Sequence, residues 1–182
     1  MIGCEAMIDQ DAIAMVHHFI VRGSMKKNDG QSQNCGGDFG RAPEMAYGWA
    51  TGEGPMALAD NLGAPFSGTN GFQSYRLETH YNNPDLVPGV FDSSGVRFYY
   101  TTQAREFDVG LLQLGDPLMK LEGVSVDSGL TAHAFRCPTS CTSLTLKPDE
   151  PLTVVRESMH MHKTGIRAVN EQIRGGEVIR AC

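Results

Sequence analysis

Ala14-Met15-Val16-His17-His18-Phe19-Ile20-Val21 is a short apolar run dense in β-branched and aromatic residues, and it closes at Arg22-Gly23. Its length and residue types suit a strand on a pleated, half-buried surface. Tyr75-Arg76-Leu77-Glu78-Thr79-His80-Tyr81 has the same character and is ended by Asn82-Asn83-Pro84. Asp92-Ser93-Ser94-Gly95 then turns into Val96-Arg97-Phe98-Tyr99-Tyr100-Thr101, a third strand. Residues 131–135, 143–146 and 152–156 continue the strand-and-turn rhythm. Residues 26–40 are polar and glycine-rich, hence a loop, and Trp49 sits in another glycine-flanked segment. Helical periodicity is scarce, and its best candidate, Ile8 to Val16, is short. Short strands with regular turn punctuation predict an all-β fold, a sandwich or jelly roll. Residues 109–115 read as the opening of a second domain.

The chain has 182 residues, enough for one large or two small domains with a sizeable core. Its net charge of -6 and its scattered Lys and Arg form no basic stripe, which argues against nucleic acid as a partner. The apolar runs are strand-sized, so no membrane-spanning segment is expected. With 21 glycines, a soluble, turn-rich protein is expected. The five cysteines, Cys4, Cys35, Cys137, Cys141 and Cys182, show neither a Cys-x-x-Cys pair nor zinc-finger spacing. Cys137 and Cys141 can pair with each other or with distant segments. The N-terminus lacks the basic and apolar regions of a signal peptide, and Met1 is followed almost at once by what reads as domain interior, a combination that suggests a fragment or an incomplete gene model. No Asn-x-Ser/Thr acceptor is present.

Five of the six histidines lie in three strand-like segments. His133, single between Ala132 and Ala134, reads as structural or surface. In His160-Met161-His162, alternate strand residues project to one face, so both imidazoles can reach one ion. Met159 and Met161 then point to the opposite face, as core packing. His17-His18 is harder: adjacent strand residues face opposite ways, so sharing an ion needs a bulge, a strong twist or a strand end. His80 stands with Arg76 and Glu78, opposite an apolar face of Leu77, Thr79 and Tyr81. Imidazole coordination suits copper, zinc, iron or nickel, and the residue types do not decide among them.

The surroundings of these histidines resemble the copper type II, ascorbate-dependent monooxygenases, the family of dopamine β-hydroxylase and the peptide α-hydroxylating enzymes. Val16-His17-His18 resembles the family's V-H-H, and Leu77-Glu78-Thr79-His80-Tyr81-Asn82-Asn83-Pro84 its L-E-x-H-Y-x-N-P. Residues 92–101 resemble its D-S-S-G-[IV]-R-x-Y-Y-T, and residues 110–115 the G-x-x-x-L-G that opens its second domain. Cys137 to Cys141 resembles C-T-x-x-C, and residues 160–165 resemble H-T-H-x-[TH]-G. The matches follow the family's order over nearly the whole chain.

The resemblance implies two jelly-roll-like β-sandwich domains: an N-terminal copper domain over residues 1–106 and an incomplete C-terminal one over 107–182. It implies His17, His18 and His80 as ligands of a first, electron-passing copper. It implies His160 and His162 as two ligands of a second copper, where O2 binds and a C–H bond of a small organic substrate is hydroxylated. Ascorbate is the implied reductant, and the secretory lumen or extracellular space the implied location. The family's second copper takes a methionine from a later segment that this chain does not supply. Ser24 stands where members usually carry a disulfide cysteine. Ser93 or Ser94 replaces a cysteine, and Ser158 an arginine, of the peptide-amidating branch; both favour the dopamine β-hydroxylase-like branch. Two other functions stay open: a copper-binding β-domain without turnover, and a three-histidine zinc hydrolase, for which the cluster shows no obvious general base.

Overall fold

The structure is a computed structural model that describes residues 1–25, 44–68, 71–115, 125–145, 152–161 and 164–182. It divides into two compact units, Met1–Gln113 and Leu114–Cys182.

The first unit holds eight described strands: β1 (Gly3–Met7), β2 (Val16–Ser24), β3 (Glu44–Ala50), β4 (Met56–Ala57), β5 (Leu62–Gly63), β6 (Ser74–Tyr81), β7 (Gly95–Tyr99) and β8 (Phe107–Asp108). They form two antiparallel three-stranded sheets, ordered β4-β1-β7 and β3-β2-β6, and a short parallel pair, β5-β8. Cys4 of β1 packs with Val21 of β2 and Tyr47 of β3, and Met56, Tyr75, Val96 and Phe98 close around them. The two larger sheets thus face each other across a shared apolar layer, as sandwich sheets do. A second cluster, Ala12, Val16 and Phe19, lies under Trp49 and Val96. Phe19 and Trp49 pack with ring centroids 5.4 Å apart and planes tilted by 34°.

The all-β class expected from the sequence is what the structure shows, in small, open sheets. The runs read at residues 14–21, 75–81 and 96–101 correspond to β2, β6 and β7. Ile8 to Val16 is not a helix. It is a tight turn, with Met15 and Val16 N–H donating to Ala12 O at 2.8 and 3.0 Å, and β2 starts at its end. The apolar face assigned to β6 is covered only in part. Tyr75 packs on the core, whereas Leu77 and Tyr81, on the same edge strand, are exposed. The loop expected at residues 26–40 lies outside the described residues.

In the second unit the described strands are a hairpin, β9 (Glu171–Arg174) and β10 (Glu177–Ala181). Gly175 and Gly176 form its two-residue turn with φ of 61° and 88°, the left-handed pair that matches strand twist. A short helix, α1 (Thr139–Thr145), stands where residues 143–146 were expected as strand. Pro138 O accepts from Cys141 and Thr142 N–H, and the Thr142 and Ser143 hydroxyls donate to carbonyls one turn back. These local bonds give the backbone an alternative to a ladder. Residues 131–135 and 152–156 are not strands either, and no segment among the described residues pairs with them. Residues 107–109 join the first unit: β8 pairs with β5, and Val109 N–H donates to Gly63 O at 2.8 Å.

Candidate metal centre

Val16 and Phe19 are both buried, with 3% and 0% of their surface exposed, although their odd spacing would put them on opposite faces of a regular strand. β2 reconciles the two with a bulge. Val16 pairs with Tyr81 and His18 with His80, so His17 is an extra residue opposite no partner on β6. Downstream the alternation is regular, with Val21 inside and Ile20 and Arg22 on the other face. The apolar phase of the strand thereby turns two adjacent histidines away from the core. Cross-strand pairing places His80 on the same face.

The consequence is a cluster of three imidazoles. One ligand atom from each of His17, His18 and His80 lies within 4.8 Å of the others. Ring centroids are 5.1 Å apart for His17–His18, 5.1 Å for His17–His80 and 4.6 Å for His18–His80, all edge-on. His17 Nδ1 and His18 Nδ1 are 3.0 Å apart. Without an ion this is a hydrogen bond with one ring as donor. With an ion held about 2.0–2.1 Å from each nitrogen, it is an ordinary ligand–ligand separation. His17 and His18 are half-buried and His80 is exposed, so the cluster is walled by the sheet and open to solvent on one side. The donor set fits a borderline metal ion with a free coordination position.

Polar contacts fasten the strands on both sides of the cluster. Asn82 N–H donates to Met15 O at 2.7 Å, which joins the end of β6 to the turn before β2. Tyr81 OH donates to Asp92 at 2.6 Å, Ser94 N–H donates to Asp92 at 2.9 Å, and Asp9 N–H donates to Ser94 Oγ at 2.8 Å. Ser93 adds both its hydroxyl and its N–H to the Asp9 carboxylate, at 2.5 and 3.1 Å. Those bonds, the Ser93 hydroxyl foremost, hold the Asp9 carboxyl below its ordinary value. Burial works to raise Asp92, but the bonds from Ser94 and Tyr81 outweigh it and leave it lowered. Tyr81 is raised in return, first by that hydrogen bond. The Asp92-Ser93-Ser94-Gly95 turn is therefore a brace between β6 and the segment that enters β2. Arg22 and Glu78, farther along the same face, form an ion pair at 3.5 Å.

The other expected site residues are not brought together in what is described. His160 is exposed, outside any strand, and His162 lies outside the described residues. The face argument for Met159 and Met161 does not survive: both are exposed, at 37% and 44%, because no strand forms there. His133 is exposed beside Phe135. Cys137, Cys141 and Cys182 are exposed thiols, Cys4 is buried in β1, and Cys35 lies outside the described residues. Sequence reading missed Asp9, which no motif marks, and Thr51, whose one local signal is the following glycine.

Residues 1–88, which contain all three clustered histidines, match the family model of the copper type II ascorbate-dependent monooxygenase N-terminal domain. By that match residues 1–88 belong to the copper type II ascorbate-dependent monooxygenase family. Among its relatives, tyramine beta-hydroxylase of Caenorhabditis briggsae is 37% identical over 130 residues, 70% of this chain and 22% of that protein. Dopamine beta-hydroxylase of Bos taurus is 34% identical over 131 residues, 70% of this chain and 21% of the relative. DBH-like monooxygenase protein 2 of Mus musculus is 35% identical over 106 residues, 56% of this chain and 17% of the relative. The chain spans about a fifth of the length of these relatives. Family membership implies copper as the metal and ascorbate as the reductant. Among the described residues, no helix is long and apolar enough to cross a membrane.

Proposed function

We propose that His17, His18 and His80 hold a copper ion and that this chain supplies the electron-passing half of a monooxygenase. The single observation behind this reading is the bulge in β2, which brings all three imidazoles onto one face in a region matched by the copper-domain family. Copper bound there would supply one-electron chemistry, drawing electrons from ascorbate. The residues' own part is to bind and orient. The two half-buried imidazoles are fixed by the sheet, while exposed His80 leaves the ion reachable by a small reductant from water. Glu78, two residues from His80 on the same strand, is paired with Arg22, which does not suit it to the general-base role that a zinc hydrolase needs.

In the same reading residues 1–106 are the N-terminal copper domain and 107–182 part of the C-terminal one. His160 and His162 would contribute to a second copper, which would supply the O2 chemistry toward a small organic substrate. The names of the relatives point to a phenolic or catechol amine as its class. The secretory lumen or the extracellular space is the compartment.

The experiment is reduction of the copper-loaded chain by ascorbate, followed by loss of the Cu(II) electron-paramagnetic signal. Wild type should lose the signal of its tight site on adding ascorbate. A site that stays Cu(II) in excess ascorbate contradicts the electron-passing role. Formation of a hydroxylated product with ascorbate and O2 separates the two remaining readings, because copper that only cycles between ascorbate and O2 consumes oxygen without forming one.

A further inference from the structure

The extra residue of the β2 bulge carries a peptide group that the β6 ladder does not use, and its carbonyl is met from the other side of the sheet. Pairing of β2 with β3 ends at His18 opposite Ala50. The next residue, Thr51, reaches past that end. Its N–H lies 3.4 Å from His17 O, and its hydroxyl lies 3.2 Å from His17 O and 3.5 Å from Val16 O.

Thr51 is itself held. Glu53 N–H donates to Ala50 O at 3.0 Å, closing a four-residue turn with Thr51 and Gly52 at its centre. Gly52 has φ of 98°, the left-handed value that the second central residue of a type II turn requires. Nothing lies within 4 Å of where a Gly52 Cβ would stand, so glycine is there for its backbone and not for room. The Trp49 indole N–H donates to Glu53 O at 2.8 Å, tying the turn to a ring that packs against Phe19.

We propose that Thr51 is a positioning residue: through the His17 carbonyl it fixes the bulge peptide, and with it the direction in which the His17 imidazole leaves the strand. The effect on copper rests on the metal reading above; the effect on His17 does not. Buried Val16 and Phe19 dictate that a bulge exists. Thr51 dictates which way its peptide faces. A bulge freed of that contact lets the peptide rotate and takes His17 out of reach of His18 and His80.

The test uses the full chain with Thr51→Val, which keeps shape and loses the hydroxyl, and Thr51→Ser, which keeps it. In the metal-free wild type, ring-proton cross-relaxation in NMR should link His17 to both His18 and His80, whose centroids are each 5.1 Å away. Thr51→Val should lose the His17 links and keep His18–His80, whereas Thr51→Ser should keep all of them. Copper titration should then show about a ten-fold loss of affinity for the valine variant and recovery in the serine variant, the usual scale for partners that orient a ligand. Gly52→Ala, which strains the turn but spares the hydroxyl, should repeat the valine result and guards against a misfolded valine chain. Retention of the His17 links in both Thr51→Val and Gly52→Ala overturns the proposal, whatever the copper result. Loss of those links in a chain whose wild type takes up no copper supports the positioning role and contradicts the metal reading alone.

Discussion

Phe19 has no exposed surface and sits on the face of β2 opposite the histidine cluster, packed against Trp49. Truncation to alanine leaves a cavity that the ladder around it cannot close, and should cost about 3–5 kcal/mol of unfolding free energy in a denaturant titration. His17, two residues away on the other face, carries no such packing, so His17→Ala should leave metal-free stability nearly unchanged while weakening copper binding. That contrast separates residues that build the site from those that occupy it. The histidines themselves were legible from the sequence by type and spacing. Asp9 and Thr51 were not, because their contacts cross 84 and 34 positions of chain and depend on where turns close.

At the scale of elements, the bulge is the feature on which the site depends. Val16 and Phe19 at odd spacing, flanking a histidine pair, carry it in the sequence once both are known to be buried; burial is what the sequence alone withholds. β2, β6 and β7 were readable because each combines length with β-branched and aromatic residues. β1 and the β9–β10 hairpin were not, being short and without alternation, and residues 131–135 and 152–156 had the composition of strands without a partner among the described residues. The brace through Asp92 and Asp9 gives a pH dependence. Both carboxyls lie below their ordinary value, 3.8, in the folded chain. Their contribution is therefore complete above the unfolded value of about 3.9 and fades as pH falls through the lower folded value. Thermal unfolding of wild type and of an Asp9→Asn, Asp92→Asn variant should differ by a constant amount from neutral pH down to about pH 5. The difference should shrink below about pH 4. A difference that grows with acid contradicts the sign of this effect.

In the whole molecule, every residue of the cluster and its brace lies in the first unit, Met1–Gln113. The described residues of the second unit are almost all exposed, Leu130 and Ile166 at 86% and 79%. A chain cut after Gln113 should therefore unfold cooperatively and bind its tight copper as the full chain does, checked by metal analysis and calorimetry.

The most direct test of the central claim is a copper titration of the 182-residue chain with electron-paramagnetic detection. A site with imidazole nitrogen splitting is predicted in the wild type and should be weakened in each of His17→Ala, His18→Ala and His80→Ala. Equal affinity in wild type and these three variants would contradict the claim that the β2 bulge builds a metal centre.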